Sequence, residues 1–284
     1  MTNVRVITDA TAYLRSGLVA EQQITVLPVD IQFGEDRYLL TGGRNLKALF
    51  KVMADGTAKP TRAIVQEEAF LRAYDTLNRE TEEILVIVGS GKLSNAYSVA
   101  QKAARNFMGR CRIDIMDSLT TSWGLGRLVE SAAESASTGH SLDEIVRLVR
   151  SMVPHIYLVC FVQRLDYLEQ GRRVGIAQAL LGTMLRIKPI LLIEGGEIIT
   201  MEKVRTEILA LEKLSEFVGE FASVQDVVLL RSPLDGGTDE MIAELMSQLR
   251  EVLPGQRFPV IHYDPVLACH VGPDAIGVIV YEGV

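Results

Sequence analysis

The chain has 284 residues, 48% hydrophobic and 23% charged, with 29 basic against 36 acidic side chains for a net charge of -7. That balance excludes a disordered or fibrous chain, and the lack of any lysine-arginine run argues against nucleic acid or an anionic membrane as the main partner. The length allows two ordinary, closely packed domains with a sizeable core.

The amino terminus, MTNVRVITDAT, enters a strand pattern without a charged start, an apolar run or a small-residue cleavage site, so a cytoplasmic protein is expected. The runs VRVIT, ITVLPVDIQF, ILVIV and IDIM then alternate with segments of helical spacing, which predicts a parallel sheet covered by helices. Ligands of such sheets sit beyond the carboxyl ends of the strands. The segments leaving those ends are Thr8 to Thr11, Gly89 to Ser94, and Asp117-Ser118, and each also has the composition of an ordinary turn.

The stretch GSGKLSNAYSVAQKAA, residues 89–104, raises the question of an anion site. A nucleotide-binding P-loop fails at two positions: Val86 stands where its first glycine belongs, and Leu93 where its magnesium-binding hydroxyl belongs. What survives is a strand feeding the positive end of a helix, with Ser94 where an N-cap hydroxyl is expected.

Further on, Ser141 and Glu144 form a capping-box pattern ahead of a face made by Leu142, Ile145, Leu148 and Val149, and this helix should close the first half. The boundary is placed at 155/156, giving an N-terminal α/β domain over 1–155 and a C-terminal α/β domain over 156–284. The second half carries YLVCFV, PILLI, EIIT, DVVLL, PVIHY and IGVIVY with few helices between them, and Glu194 to Glu197 reads as a hairpin turn. A largely antiparallel sheet is expected there, with a cleft between the domains. The apolar stretch 177–193 is broken by Arg186, Lys188 and Pro189 and cannot span a bilayer. Cys111, Cys160 and Cys269 lack metal or disulfide spacing and read as buried free thiols, so neither a metal nor a cofactor is expected.

Taken together, these segments resemble the DegV family, the fatty-acid-binding proteins that serve bacterial fatty acid kinase. VITDATAYL is similar to the family's strand followed by Asp-Ser-Thr, with Ala10 in place of the serine. GSGKLSNAYSVA follows the pattern Ser-Ser-x-Leu-Ser-Gly-Thr-Tyr through Ser90, Leu93, Ser94 and Tyr97, and departs from it at Gly91, Asn95 and Ala96. IDIMDSLTTSWGLG, LDYLEQGRRVG and ACHVGPDAIGVIVY resemble the later motifs in order and spacing.

The resemblance implies two α/β domains enclosing a long-chain fatty acid between them. It carries the carboxylate ligands over to Thr61, Ser94 and His270, with Asp9, Ser90, Asp117 and Gly272 supporting the site and Arg173 docking the kinase. Where the family shows Thr-Thr-Ser-Gln-Pro-Ser, this chain has Thr61, Arg62, Ala63, Ile64, Val65 and Gln66, losing two hydroxyls. The resulting expectation is a non-catalytic carrier that presents a fatty acid to a separate kinase. The Leu and Met residues at 180, 181, 184 and 185 read most simply as core, with one face available to line the acyl tunnel. The competing readings are a serine acyl hydrolase built on Ser94 or Ser90 with His270 and Asp9 or Asp117, and a carrier of another apolar carboxylic acid. No nucleophile elbow surrounds Ser94, whose neighbours two residues away are Lys92 and Ala96.

Overall fold

Pro28 decides the layout of the first half, because it cannot donate to a strand ladder and splits one apolar run into two strands that enter different sheets. In the computed structural model, which describes residues 4–41, 46–56, 62–165, 167–168, 187–234, 236 and 238–284, β1 (Arg5–Asp9) lies beside β2 (Thr25–Leu27). After the proline, β3 (Val29–Phe33) pairs with β4 (Asp36–Leu40) and β5 (Arg62–Ile64) in a separate antiparallel sheet of three strands, ordered β4-β3-β5. That small sheet was not expected from the sequence.

The expected parallel sheet is present, ordered β2-β1-β6-β7, with β6 at Glu83–Val88 and β7 at Arg112–Asp117. Its helices include α1 (Leu18–Glu21), α2 (Leu46–Asp55), α3 (Glu67–Leu77), α4 (Ala96–Ala104), α5 (Ser122–Ser137) and α6 (Leu142–Met152). Strand β6 is buried along nearly its whole length, as a central parallel strand covered on both faces must be. Helix α6 carries the expected capping box, with Ser141 accepting from the Glu144 amide and the Glu144 carboxylate accepting from the Ser141 amide. Its buried face is Leu142, Ile145, Val146, Val149 and Met152, whereas Leu148 is exposed.

The second half is a six-stranded sheet ordered β10-β9-β8-β13-β11-β12, antiparallel throughout except for the β11–β12 pair. Its strands are β8 (Ile156–Phe161), β9 (Lys188–Glu194), β10 (Glu197–Val204), β11 (Asp226–Arg231), β12 (Val260–His262) and β13 (Ile276–Tyr281). Its helices among the described residues include α7 (Glu207–Gly219), α8 (Asp239–Val252) and α9 (Pro265–Val271). The glycines at 195 and 196 turn β9 into β10 with φ of 54° and 81°, the left-handed conformations such a tight hairpin uses.

Alternation along the central strands divides the core. Leu158, Cys160, Val228, Leu230 and Ile279 face a large cluster shared with the first half. Their neighbours Val159, Phe161, Val227, Leu229, Val278 and Val280 pack on the other face with α7 and α8. Across the join, Phe50 of α2 meets Tyr263 edge-on with ring centroids 5.2 Å apart, and the Tyr167 hydroxyl donates to the Met53 carbonyl at 2.5 Å. Cys160 and Cys269 are buried thiols, but Cys111 is only partly covered. No helix among the described residues is long and apolar enough to cross a membrane.

Candidate functional site

The carboxyl ends of β1, β6 and β7 converge on one turn, Gly89 to Ser94. Asp9 closes β1, and its carboxylate accepts from the Thr11 amide at 2.9 Å, the Thr11 hydroxyl at 2.5 Å and the Gly89 amide at 2.8 Å. Burial nonetheless raises its pKa, because loss of hydration outweighs those hydrogen bonds. Asp117, at the end of β7, accepts from the amides of Gly91 at 3.1 Å and Leu119 at 2.9 Å. The two aspartates therefore brace the turn from beneath on either side of Ser90.

Elements of the second half grip the same turn from above. The Ser90 hydroxyl, fully buried, donates to the Gly196 carbonyl at 2.7 Å. Gly196 fits there because a β-carbon would lie 2.6 Å from Ser90 Oγ and 3.1 Å from the Leu119 side chain. Beside it, Lys92 and Glu197 form an exposed ion pair at 2.9 Å, a contact worth little by itself. His270, on α9 and 9% exposed, places Nε2 3.2 Å from the Leu93 carbonyl. A carbonyl can only accept, so this contact assigns the proton to Nε2.

Ser94 is half-buried at the end of this turn, its amide donating to Ser90 O at 3.0 Å and its hydroxyl accepting from the Ala96 amide at 3.3 Å. It is not the N-cap, however. That position belongs to Asn95, whose carboxamide leaves its own helix uncapped and bonds Val65 instead. Gly272 ends α9 at φ 88°, and its carbonyl accepts from the buried Tyr263 hydroxyl at 2.8 Å. The structure thus brings together Ser90, Leu93, Ser94 and His270, with Asp9 and Asp117 below and Gly272 two residues beyond the histidine. Thr61, Arg172, Arg173 and positions 180, 181, 184 and 185 lie outside the described residues.

This geometry bears on the hydrolase alternative. Asp9 or Asp117 would have to orient the His270 ring, yet both oxygens of each carboxylate accept from main-chain amides.

A further polar contact between the halves, at Asp264, escaped the sequence reading. Asp264 is the N-cap of α9, accepting from the amides of Val266 at 2.9 Å and Leu267 at 3.0 Å, and its other oxygen accepts from the Thr121 hydroxyl at 3.1 Å. Burial, with a smaller push from the Asp9 charge, raises its pKa to about 7. The Asp264-Pro265 pair is a recognisable helix start, with proline at the first helical position, and could have been found. Nearby, Leu119 and Ser122 hold φ near +53° and +55°, a strained conformation for residues with a β-carbon, where the chain turns from β7 into α5 beside this contact.

A DegV domain-containing protein of Streptomyces coelicolor is 31% identical over 285 residues, spanning 98% of each chain. One from Deinococcus radiodurans is 30% identical over 276 residues, spanning 97% of each. Among solved structures, a fatty-acid-binding DegV family protein from Thermus thermophilus superposes with a TM-score of 0.85 at 26% identity, covering 99% of this chain and all of that one. A fatty-acid-binding DegV family protein from Streptococcus agalactiae superposes with a TM-score of 0.88 over the full length of both chains at 24% identity, a likeness that speaks for the fold. The sequence model described as "uncharacterised protein, DegV family" matches residues 3–283, and on that near-complete match the chain belongs to the DegV family.

Proposed function

We propose that this protein is a non-catalytic carrier that holds a long-chain fatty acid between a domain of residues 1–155 and one of 156–284. It presents the carboxylate to a separate ATP-dependent kinase and holds the acyl phosphate made there. The observation that carries the reading is the His270 contact with Leu93 O, 3.2 Å long, which brings the histidine of one half to the residue preceding Ser94 in the other. Solved DegV relatives described as fatty-acid-binding lend it support.

The energetics fit such a ligand. A sixteen-carbon tail removed from water gains roughly 0.8 kcal/mol per methylene, or on the order of 10 kcal/mol in all, so burial of the tail supplies most of the affinity. The carboxylate at its end loses hydration and needs donors. Ser94 and Thr61 meet it with hydroxyls, without the cost of burying a fixed charge, and the His270 imidazole completes the set. Arg173 serves the kinase contact, and the carrier works in the cytoplasm.

The test is direct. Protein purified from bacterial cytosol is extracted and its lipid identified by mass spectrometry, and delipidated protein is then titrated with fatty acids of graded length. A stoichiometric fatty acid is expected, and phosphorylation of the bound acid by a fatty acid kinase catalytic subunit should need Arg173. Protein that emerges empty and takes up no fatty acid of any length refutes the proposal. A different apolar acid in the extract would reassign the ligand.

A further inference from the structure

Asparagine at an N-cap ordinarily bonds the amides of its own helix. Asn95 does not. Its Oδ1 accepts from the Val65 amide at 2.8 Å and its Nδ2 donates to the Val65 carbonyl at 3.2 Å, so one carboxamide takes both main-chain groups of a residue thirty positions earlier. Only one orientation of the amide satisfies both bonds, which fixes the side chain.

Val65 is buried and follows directly on β5. The next residue, Gln66, donates to Asp30 of β3 at 2.6 Å. Residues 62 to 66 are therefore held on one side by the β3 ladder and the Asp30 contact, and at their end by Asn95. Asn95 is also the residue after Ser94, whose hydroxyl and amide are set by the same turn.

The clamp needs an amide hydrogen at position 65 and a carboxamide at position 95. Proline has no amide hydrogen and glycine no side chain, so neither can form this clamp.

Resting on the reading that the Ser94 turn receives a carboxylate, we propose that Asn95 is a positioning residue for that head group. By clamping Val65 it fixes the end of β5 against the first turn of α4, and so sets where the Ser94 hydroxyl stands relative to the opposing wall. Loss of the Asn95 side chain leaves both main-chain groups of Val65 unpaired in a partly buried place, and proline at 65 breaks the same clamp from the other side by removing the amide hydrogen.

The experiment compares delipidated wild type with Asn95→Gly, Val65→Pro and the double variant, measuring affinity for palmitate and for hexadecanol, which has the same tail without the carboxylate. Each single change should weaken palmitate binding about tenfold while hexadecanol binding moves less than about twofold, and the double variant should lose little more than either single change, because both break the same clamp. Asn95→Leu, similar in size but without either hydrogen bond, should repeat the palmitate-specific loss without a proline. Unchanged palmitate affinity in Asn95→Gly and Asn95→Leu overturns the proposal. So does equal loss for both ligands, which marks a purely structural clamp, or strictly additive losses in the double variant. Wild type that binds hexadecanol but not palmitate overturns the carboxylate reading itself, and is recognised before any variant is measured.

Discussion

Asp264→Asn isolates the charge buried where the two halves meet. The amide can keep the oxygen that receives the Val266 and Leu267 amides and can place its NH2 toward the Thr121 hydroxyl, so helix α9 keeps its cap while the ionisation is lost. In the wild type this carboxyl titrates at about 7 when folded, against an ordinary value of 3.8. The folded state therefore holds the proton more tightly than the unfolded state, and stability falls as pH rises through the interval between those values, then levels off. By linkage the whole interval is worth about 4 kcal/mol, of which about 3 kcal/mol falls between roughly pH 5 and pH 8.

The groups around it are Asp9, whose charge adds to the effect, and the Cys160, Cys269 and Tyr263 side chains, themselves pushed upward by burial and by the same carboxylate. Asp9 is raised too and contributes with the same sign, so the informative quantity is the difference between variant and wild type at each pH. Urea unfolding across that range should show Asp264→Asn gaining on the wild type by about 3 kcal/mol from the acid to the alkaline end, with an unchanged m-value. A difference that stays flat with pH, or that turns against the variant at alkaline pH, refutes the reasoning.

Ser94→Ala and His270→Ala should each weaken palmitate binding about tenfold, or about 1.4 kcal/mol, with the cooperative unfolding transition retained; calorimetric titration and thermal melts check this. Phe50→Ala empties a fully buried ring site against Tyr263 and should cost about 3–5 kcal/mol in denaturant unfolding. Gly126→Ala would drive a methyl group into the Tyr13 carbonyl, and because backbone cannot step aside the expected loss is about 3 kcal/mol or more, read from the unfolding midpoint and soluble yield.

Much of the fold was legible because it is written in local periodicity. The β-branched runs of the first half, the Gly195-Gly196 hairpin and the Ser141–Glu144 box each require only neighbouring residues to be recognised. Pro28 was visible too, yet its effect depends on where the following strand finds partners, and residues 29–33 pair with 36–40 and 62–64 away from the main sheet. At the site, Ser94 and His270 came from a resemblance carried by spacing. The contacts that organise them join residues far apart in the chain: Asn95 with Val65, Ser90 with Gly196, Thr121 with Asp264. No periodicity encodes such pairs. Ser94 was expected at the cap, and only the geometry shows that this position falls to Asn95, whose side chain bonds Val65 instead.

The position of β13 bears on how the protein is made. This strand occupies residues 276–281 but lies in the middle of its sheet, between β8, complete by residue 161, and β11. During synthesis β8 emerges from the ribosome long before its partner exists, with an apolar edge that nothing yet covers. Its pairing is non-local, so closure of this sheet is slow compared with helix formation. Chaperone engagement should concentrate in that interval, and a ribosome stalled before residue 276 should hold a first half free to settle while its companion waits.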